Sequence, residues 1–157
     1  MKKRSIPLLA ALLLAVSALA AVPVRADEPT LRVAADNAFR DALSEIAPLF
    51  TGTTGFAVDF RYGDSVALAD ALLAGDDTDV CLPADPAILD RLRTKGIVDV
   101  ALVRNIVVLE RPGEDPAYVR AVVLTTSPHR IQALAFLDFL VSETARGIFA
   151  AHGFSLP

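Results

Sequence analysis

The chain has a single cysteine, Cys81, so no internal disulfide can form. Its neighbours, Asp79-Val80-Cys81-Leu82, read as a short buried strand. That makes the thiol a small core hydrophobe rather than a reactive group. The usual enzyme signals are missing: there is no GxSxG, no phosphate-binding loop, no GxGxxG and no histidine pair at metal spacing. The two histidines, His129 and His152, fall at a helix start and a helix end, where capping or solvent exposure is the expected role. No base and nucleophile are paired, and Asp76-Asp77 reads as a solvated turn. An enzyme is therefore the least supported class, and no cofactor is called for. Internal repeats, low-complexity tracts and interdomain linkers are absent too.

Basic residues are scarce once the start of the chain is set aside. Lys2, Lys3 and Arg4 precede an apolar run from Ile6 to Ala21, and Val24-Arg25-Ala26 offers a small residue at a cleavage position. Residues 1–26 thus have the layout of a secretory signal peptide, and the run is shorter than the ~20 residues of a typical spanning helix. No cysteine follows it to carry a lipid. Four of the 15 Lys and Arg residues and none of the 19 acidic ones lie in this segment, leaving 11 basic against 19 acidic, a formal charge of −8. Nucleic acid is then excluded as a partner, because phosphate binding needs clustered Lys and Arg. A small anion is not, since local N–H groups outweigh a distant field. Residues 27–157 make one domain, with too little chain for two lobes.

From residue 31 onward, strand and helix patterns alternate, the signature of an α/β sheet. Leu31 to Ala35 reads as a strand. A helix over 37–50 puts Phe39, Leu43, Ile46, Ala47 and Phe50 on one face, and the run Thr51 to Gly55 ends it. Phe56 to Tyr62 alternates as a half-buried strand. Residues 65–74 return to helical spacing, with Gly75 where a left-handed cap belongs. Asp85-Pro86 starts a third helix and Lys95-Gly96 closes it. Asn105–Glu110 and Arg120–Thr125 are β-rich and joined by a turn at 111–118. Ser127-Pro128 opens a helix bearing Ile131, Leu134, Leu137, Leu140 and Val141, and Ser142 caps a last one ending at His152-Gly153.

Two strand-to-helix loops carry what chemistry there is: Ala35-Asp36-Asn37-Ala38 and Tyr62-Gly63-Asp64-Ser65. In open α/β sheets, ligands gather beyond the carboxyl ends of the strands, where free N–H groups at helix N-termini attract anions. The candidate site residues are Asp36, Asn37, Ala38, Gly63, Asp64 and Ser65. The same residues are also what two ordinary helix caps would require.

The run from Leu31 to Asp85 resembles the first half of the periplasmic molybdate-binding component of ABC transporters. That family's Ala-Ala-x-Ser-Leu loop falls at Ala35 to Phe39, and its Gly-Ser-Ser-Gly-x-Leu loop at Gly63 to Leu68. Its G-x-x-x-D-V-x-x-x-A-D segment falls at Gly75 to Asp85, and its R-N-x-L-V-L strand at Arg104 to Leu109. Residues 133–157 resemble its C-terminal helices. The resemblance implies a single-lobe, periplasmic-binding-protein-like three-layer sandwich: a mixed sheet of about five strands with helices on both faces. In the family a second lobe lies between points matching Glu110 and Ala117; here the turn at 111–118 stands in its place. One ligand serine of the family maps to Ala38, which has no hydroxyl; the other maps to Ser65, which is kept. Asp36 and Asp64 add carboxylates.

The resemblance therefore implies a periplasmic solute-binding protein for molybdate, tungstate or a related oxyanion, with weak or altered binding and an ABC permease as partner. The alternative is a repurposed single lobe that binds a cation, an amine or a protein partner. A homodimer that rebuilds a closed cleft belongs to that alternative.

Overall fold

The computed structural model describes residues 30–157 except 111 and 114, so the expected signal peptide at 1–26 lies outside the described residues. The chain runs β1 (Leu31–Asp36), a 3-10 turn (Asn37–Phe39), α1 (Arg40–Thr54), β2 (Val58–Gly63), α2 (Ser65–Leu73), β3 (Val80–Leu82), α3 (Pro86–Thr94), β4 (Val98–Leu109), β5 (Ala117–Leu124), α4 (Arg130–Leu140) and α5 (Glu143–Ala151). The strands form one sheet in the order β2-β1-β3-β5-β4. Strands β2 and β3 flank β1 in parallel, whereas β5 runs antiparallel to both β3 and β4. The expected five-stranded mixed sheet is what forms.

Period-two alternation sorts the strand side chains into two cores. On one face Val80, Leu82, Val119, Ala121 and Val123 meet Leu43, Ile46 and Phe50 of α1, Phe136, Leu137 and Leu140 of α4, and Phe149 of α5. On the other, Cys81, Val122 and Leu124 meet Ala69 and Leu72 of α2 and Ile88, Leu89 and Leu92 of α3. Helices thus cover both faces, giving three layers. The larger core is pinned by aromatic rings: Phe50 packs edge-on to Phe136 at 5.1 Å between centroids. Cys81 is fully buried, as the strand pattern implied, and burial pushes its thiol up to about 12.

Four expectations are corrected. Helix α1 extends to Thr54, because the Thr53 and Thr54 hydroxyls bond back to the Leu49 and Phe50 carbonyls, each at 2.8 Å, and Gly55 supplies the left-handed cap at φ 80°. Strand β4 starts at Val98, seven residues before Asn105, because β5 offers it partners across two register shifts. The turn read at 111–118 is shorter: Ala117 and Tyr118 already pair with Leu109 and Val108. On α4, Ile131 is 80% exposed. It lies in the first turn, and Ala133, Phe136, Leu137 and Leu140 along the rest of the helix carry the packing instead.

Pairing in register brings the two loops of interest together. Asp36 at the end of β1 stands opposite Gly63 at the end of β2. The next residues of each strand turn into helices on opposite faces of the sheet, so the heads of the 3-10 turn, of α2 and of α3 converge at the carboxyl ends of the parallel strands.

Candidate functional site

The site is built around the Ser65 hydroxyl. Ser65 is the first residue of α2 and is nearly buried. It donates to Asp36 Oδ2 at 2.5 Å and accepts from the backbone N–H groups of Ala84 at 2.9 Å and Asp85 at 3.3 Å. A hydroxyl has one donor and two acceptor positions, so all three are engaged within the protein. The second carboxylate oxygen of Asp36, Oδ1, accepts from Ala38 N at 3.0 Å and caps the 3-10 turn. Asp36 therefore bridges the heads of two helical segments, its charge placed where backbone N–H groups point outward.

The other candidates take lesser places. Ala38 contributes only its N–H, as its missing hydroxyl requires. Asn37 is exposed, and its Oδ1 accepts from the Arg40 guanidinium at 3.0 Å. That guanidinium lies over the Tyr62 ring, 4.3 Å from its centroid. Burial is the main influence on the Tyr62 phenol and raises its pKa, against smaller lowering effects of Ser44 and Arg40. Gly63 leaves room for Leu68: a Cβ there would lie 3.3 Å from Leu68 Cδ2. Asp64 is the side-chain cap of α2, with Oδ1 accepting from Ala67 N at 2.9 Å. The structure thus joins Asp36, Ala38 and Ser65 by direct hydrogen bonds. Asn37 and Asp64 engage neighbours of their own.

Two sets of groups were not legible in the sequence. The Ala84 and Asp85 N–H donors are backbone, and Asp85 reads in the sequence only as a helix cap; its Oδ1 does cap α3 through Ala87 N at 2.9 Å. Beyond the β3–α3 loop, Pro86, Asn105, Ala117, Tyr118 and Arg120 line a basin of about 450 Å³. Its members come from three segments and share no sequence pattern.

At the amino ends of the strands a second carboxylate, Asp79, is buried. It accepts from the Ser127 hydroxyl at 2.6 Å and from Arg32 N at 2.9 Å, and His129 Nδ1 lies 3.3 Å from its Oδ1. Serine, histidine and aspartate meet here, but not in the wiring of a nucleophile. Ser127 donates to the carboxylate rather than to the ring, its oxygen accepts from His129 N at 3.1 Å, and it is buried. A nucleophilic serine needs its proton directed at the base and its oxygen open to substrate. The cluster ties α4 to the sheet instead. His129 holds the N-cap position without a side-chain cap, because its ring is directed at Asp79. His152 ends α5 with Nε2 2.8 Å from Glu45 Oε1. Among the described residues, no group of three or more His, Cys, Asp and Glu side chains is placed to hold a metal ion, and no helix is long and apolar enough to cross a membrane.

The family model for bacterial extracellular solute-binding proteins matches residues 31–116 and 105–155. No relative is found among curated protein sequences. Among solved structures, the chain resembles the substrate-binding domain assigned to a molybdenum ABC transporter from Clostridium difficile, with a TM-score of 0.76 and 12% identity over 82% of this chain and 99% of that one. The periplasmic molybdate-binding protein of Azotobacter vinelandii gives a TM-score of 0.73 and 13% identity over 81% of this chain and 99% of that one. Iron-bound HitA from Pseudomonas aeruginosa gives 0.64 and 13% over 77% and 84%. These likenesses establish the fold: a single periplasmic-binding-protein-like lobe. They span proteins named for an anion and for a cation, so the fold leaves the ligand's charge open. With the family model reaching from residue 31 to 155, this chain belongs to the bacterial extracellular solute-binding protein family.

Proposed function

We propose that the chain is a periplasmic, oxyanion-type solute-binding lobe, related to molybdate and tungstate binders, whose affinity is weakened because Asp36 occupies the anion position. The export signal at 1–26, an ABC permease as partner and the replacement of a second lobe by the β4–β5 turn are parts of the same reading. The observation that carries it is the Ser65 hydroxyl, held at the head of α2 beside two N–H donors and engaged by a carboxylate of the protein itself. Carboxylate and oxyanion oxygens accept the same kinds of hydrogen bond, so the Asp36 carboxylate stands in for the ligand.

The magnitudes favour weak binding. A carboxylate ~5 Å from a dianion repels it by about 6–7 kcal/mol at an effective dielectric of 20, and by under ~2 kcal/mol in open water. An open half-site lies nearer the second value, and it also leaves the ligand partly hydrated. A hard cation finds less here: the Asp36 and Asp64 carboxylates each already accept from backbone N–H groups as helix caps.

Calorimetry with molybdate, tungstate and sulfate tests this reading. The wild-type protein is expected to bind no tighter than about millimolar. Asp36→Ser, which supplies a hydroxyl and removes the charge, is expected to bind at least tenfold tighter, since one hydroxyl bond to an anion contributes about 1.5–3 kcal/mol. Ser65→Ala in that background should abolish the gain. A folded Asp36→Ser protein that gives no heat with any of the three oxyanions would sink the reading.

A further inference from the structure

We infer that the basin beyond the head of α3 is a second binding site, taking the carboxylate of a small organic acid on Arg120. Its floor is the far end of the β4–β5 hairpin. Arg120 pairs with Asn105 across the two strands, so their side chains project from the same face, and Tyr118 projects there too, two residues earlier in β5. Helix α3 covers this face as far as Pro86 and stops, leaving a hollow of about 450 Å³ lined by Pro86, Asn105, Ala117, Tyr118 and Arg120.

Arg120 is the group that asks for a ligand. Its Nε is buried with no hydrogen-bond partner among the described residues. A buried guanidinium N–H left without an acceptor is unusual, because unmet buried donors are costly. Arg32, Arg61, Arg91, Arg104 and Arg130 each hold an aspartate: Asp77, Asp76, Asp70, Asp138 and Asp99 in turn. Among the described residues no acidic side chain lines this basin, and the one charged residue among them is Arg120.

The surroundings select the class of anion. A guanidinium fork matches a planar carboxylate through two parallel hydrogen bonds. The Asn105 amide and Tyr118 hydroxyl add donors on the same face. The volume falls in the range of pockets for organic molecules, far above the ~30 Å³ share of one water, and a bare tetrahedral oxyanion would rattle in it. The Tyr118 ring, Pro86 and Ala117 give the carbon part of an organic acid an apolar surface. Tyr118 is 52% exposed, which marks it as available to a ligand. This site is distinct from the Ser65 site, since the side chains that line it take no part in the Ser65 hydrogen bonds.

The test is an NMR titration of the purified protein with sodium benzoate, following the Arg120 Nε–H and Tyr118 ring signals, with sodium phosphate at equal ionic strength in parallel. The expected result is a saturable shift with benzoate and a linear, non-saturating one with phosphate. Arg120→Gln should weaken benzoate at least tenfold, read at Tyr118. Asn105→Asp, at an exposed position where folding is not at stake, should do the same by placing a negative charge in the basin. Ser65→Ala should leave benzoate binding within twofold, whatever becomes of oxyanion binding. A phosphate response equal to that of benzoate, no saturation with benzoate, or unchanged binding in both basin variants would overturn the inference.

Discussion

The two ends of the sheet carry the same device in different surroundings. At the carboxyl ends, Asp36 accepts from the Ser65 hydroxyl at 2.5 Å and from one backbone N–H. At the amino ends, Asp79 accepts from the Ser127 hydroxyl at 2.6 Å and from one backbone N–H. The difference is what covers them. Asp79 is 3% exposed and shut between β1, β3 and the start of α4, so its bonds hold the fold together. Asp36 is only half-buried and faces the open heads of helices. The same pair of residue types is a structural bolt in one place and a self-occupied binding position in the other. Burial, not residue identity, separates the roles.

That contrast can be broken most forcefully at Asp79. Asp79→Ala leaves the buried Ser127 hydroxyl and the part-buried Arg32 N–H without this acceptor. It should lower unfolding stability by about 3 kcal/mol or more in urea melts. Asp36→Ala, where water replaces the lost acceptor, should lose about 1 kcal/mol, in the range of a helix cap. Equal losses would erase the distinction drawn between the two ends.

A second measurement sharpens the picture of the buried face. Cys81 is raised to about 12 by burial, so the folded state resists forming the thiolate that the unfolded chain forms near pH 9. Its contribution is fully present below the unfolded value and is lost as pH climbs from about 9 towards 12. Cys81→Ala should flatten that alkaline decline in a series of melts from pH 8 to 11, and the native thiol should react with a thiol reagent only as fast as the protein opens. The smallest effect belongs to the corrected helix face: Ile131→Ala should change stability by no more than about 0.5 kcal/mol, because the side chain is 80% exposed. A loss of ~2 kcal/mol there would restore the original reading of α4.

Much of the architecture was readable before the sheet was seen, because helices and half-buried strands write their periods into consecutive residues. Helix α1 put Leu43, Ile46 and Phe50 inward as their spacing implied, and Cys81 entered a strand buried on both faces. Strand β4 was harder. Its first half is a sheet edge whose Val100 is 62% exposed, and it becomes a strand only through pairing with β5. Long-range pairing has no local period to betray it. At the candidate site, Asp36 and Ser65 were visible as residues near helix starts, yet their bond was not. The Ala84 and Asp85 N–H donors and the Arg120 basin left no pattern at all.

What this amino-acid sequence determined by itself is the alternation of strands and helices, the two apolar faces and the helix caps, since each follows from the chemistry of neighbours a few residues apart. The tertiary structure alone decided that the Ser65 hydroxyl answers to a carboxylate 29 residues earlier, and that Arg120 faces a hollow beside α3. Such meetings depend on parallel and antiparallel registers that bring distant segments within 3 Å, and a hydrogen bond has no strength until that distance is closed.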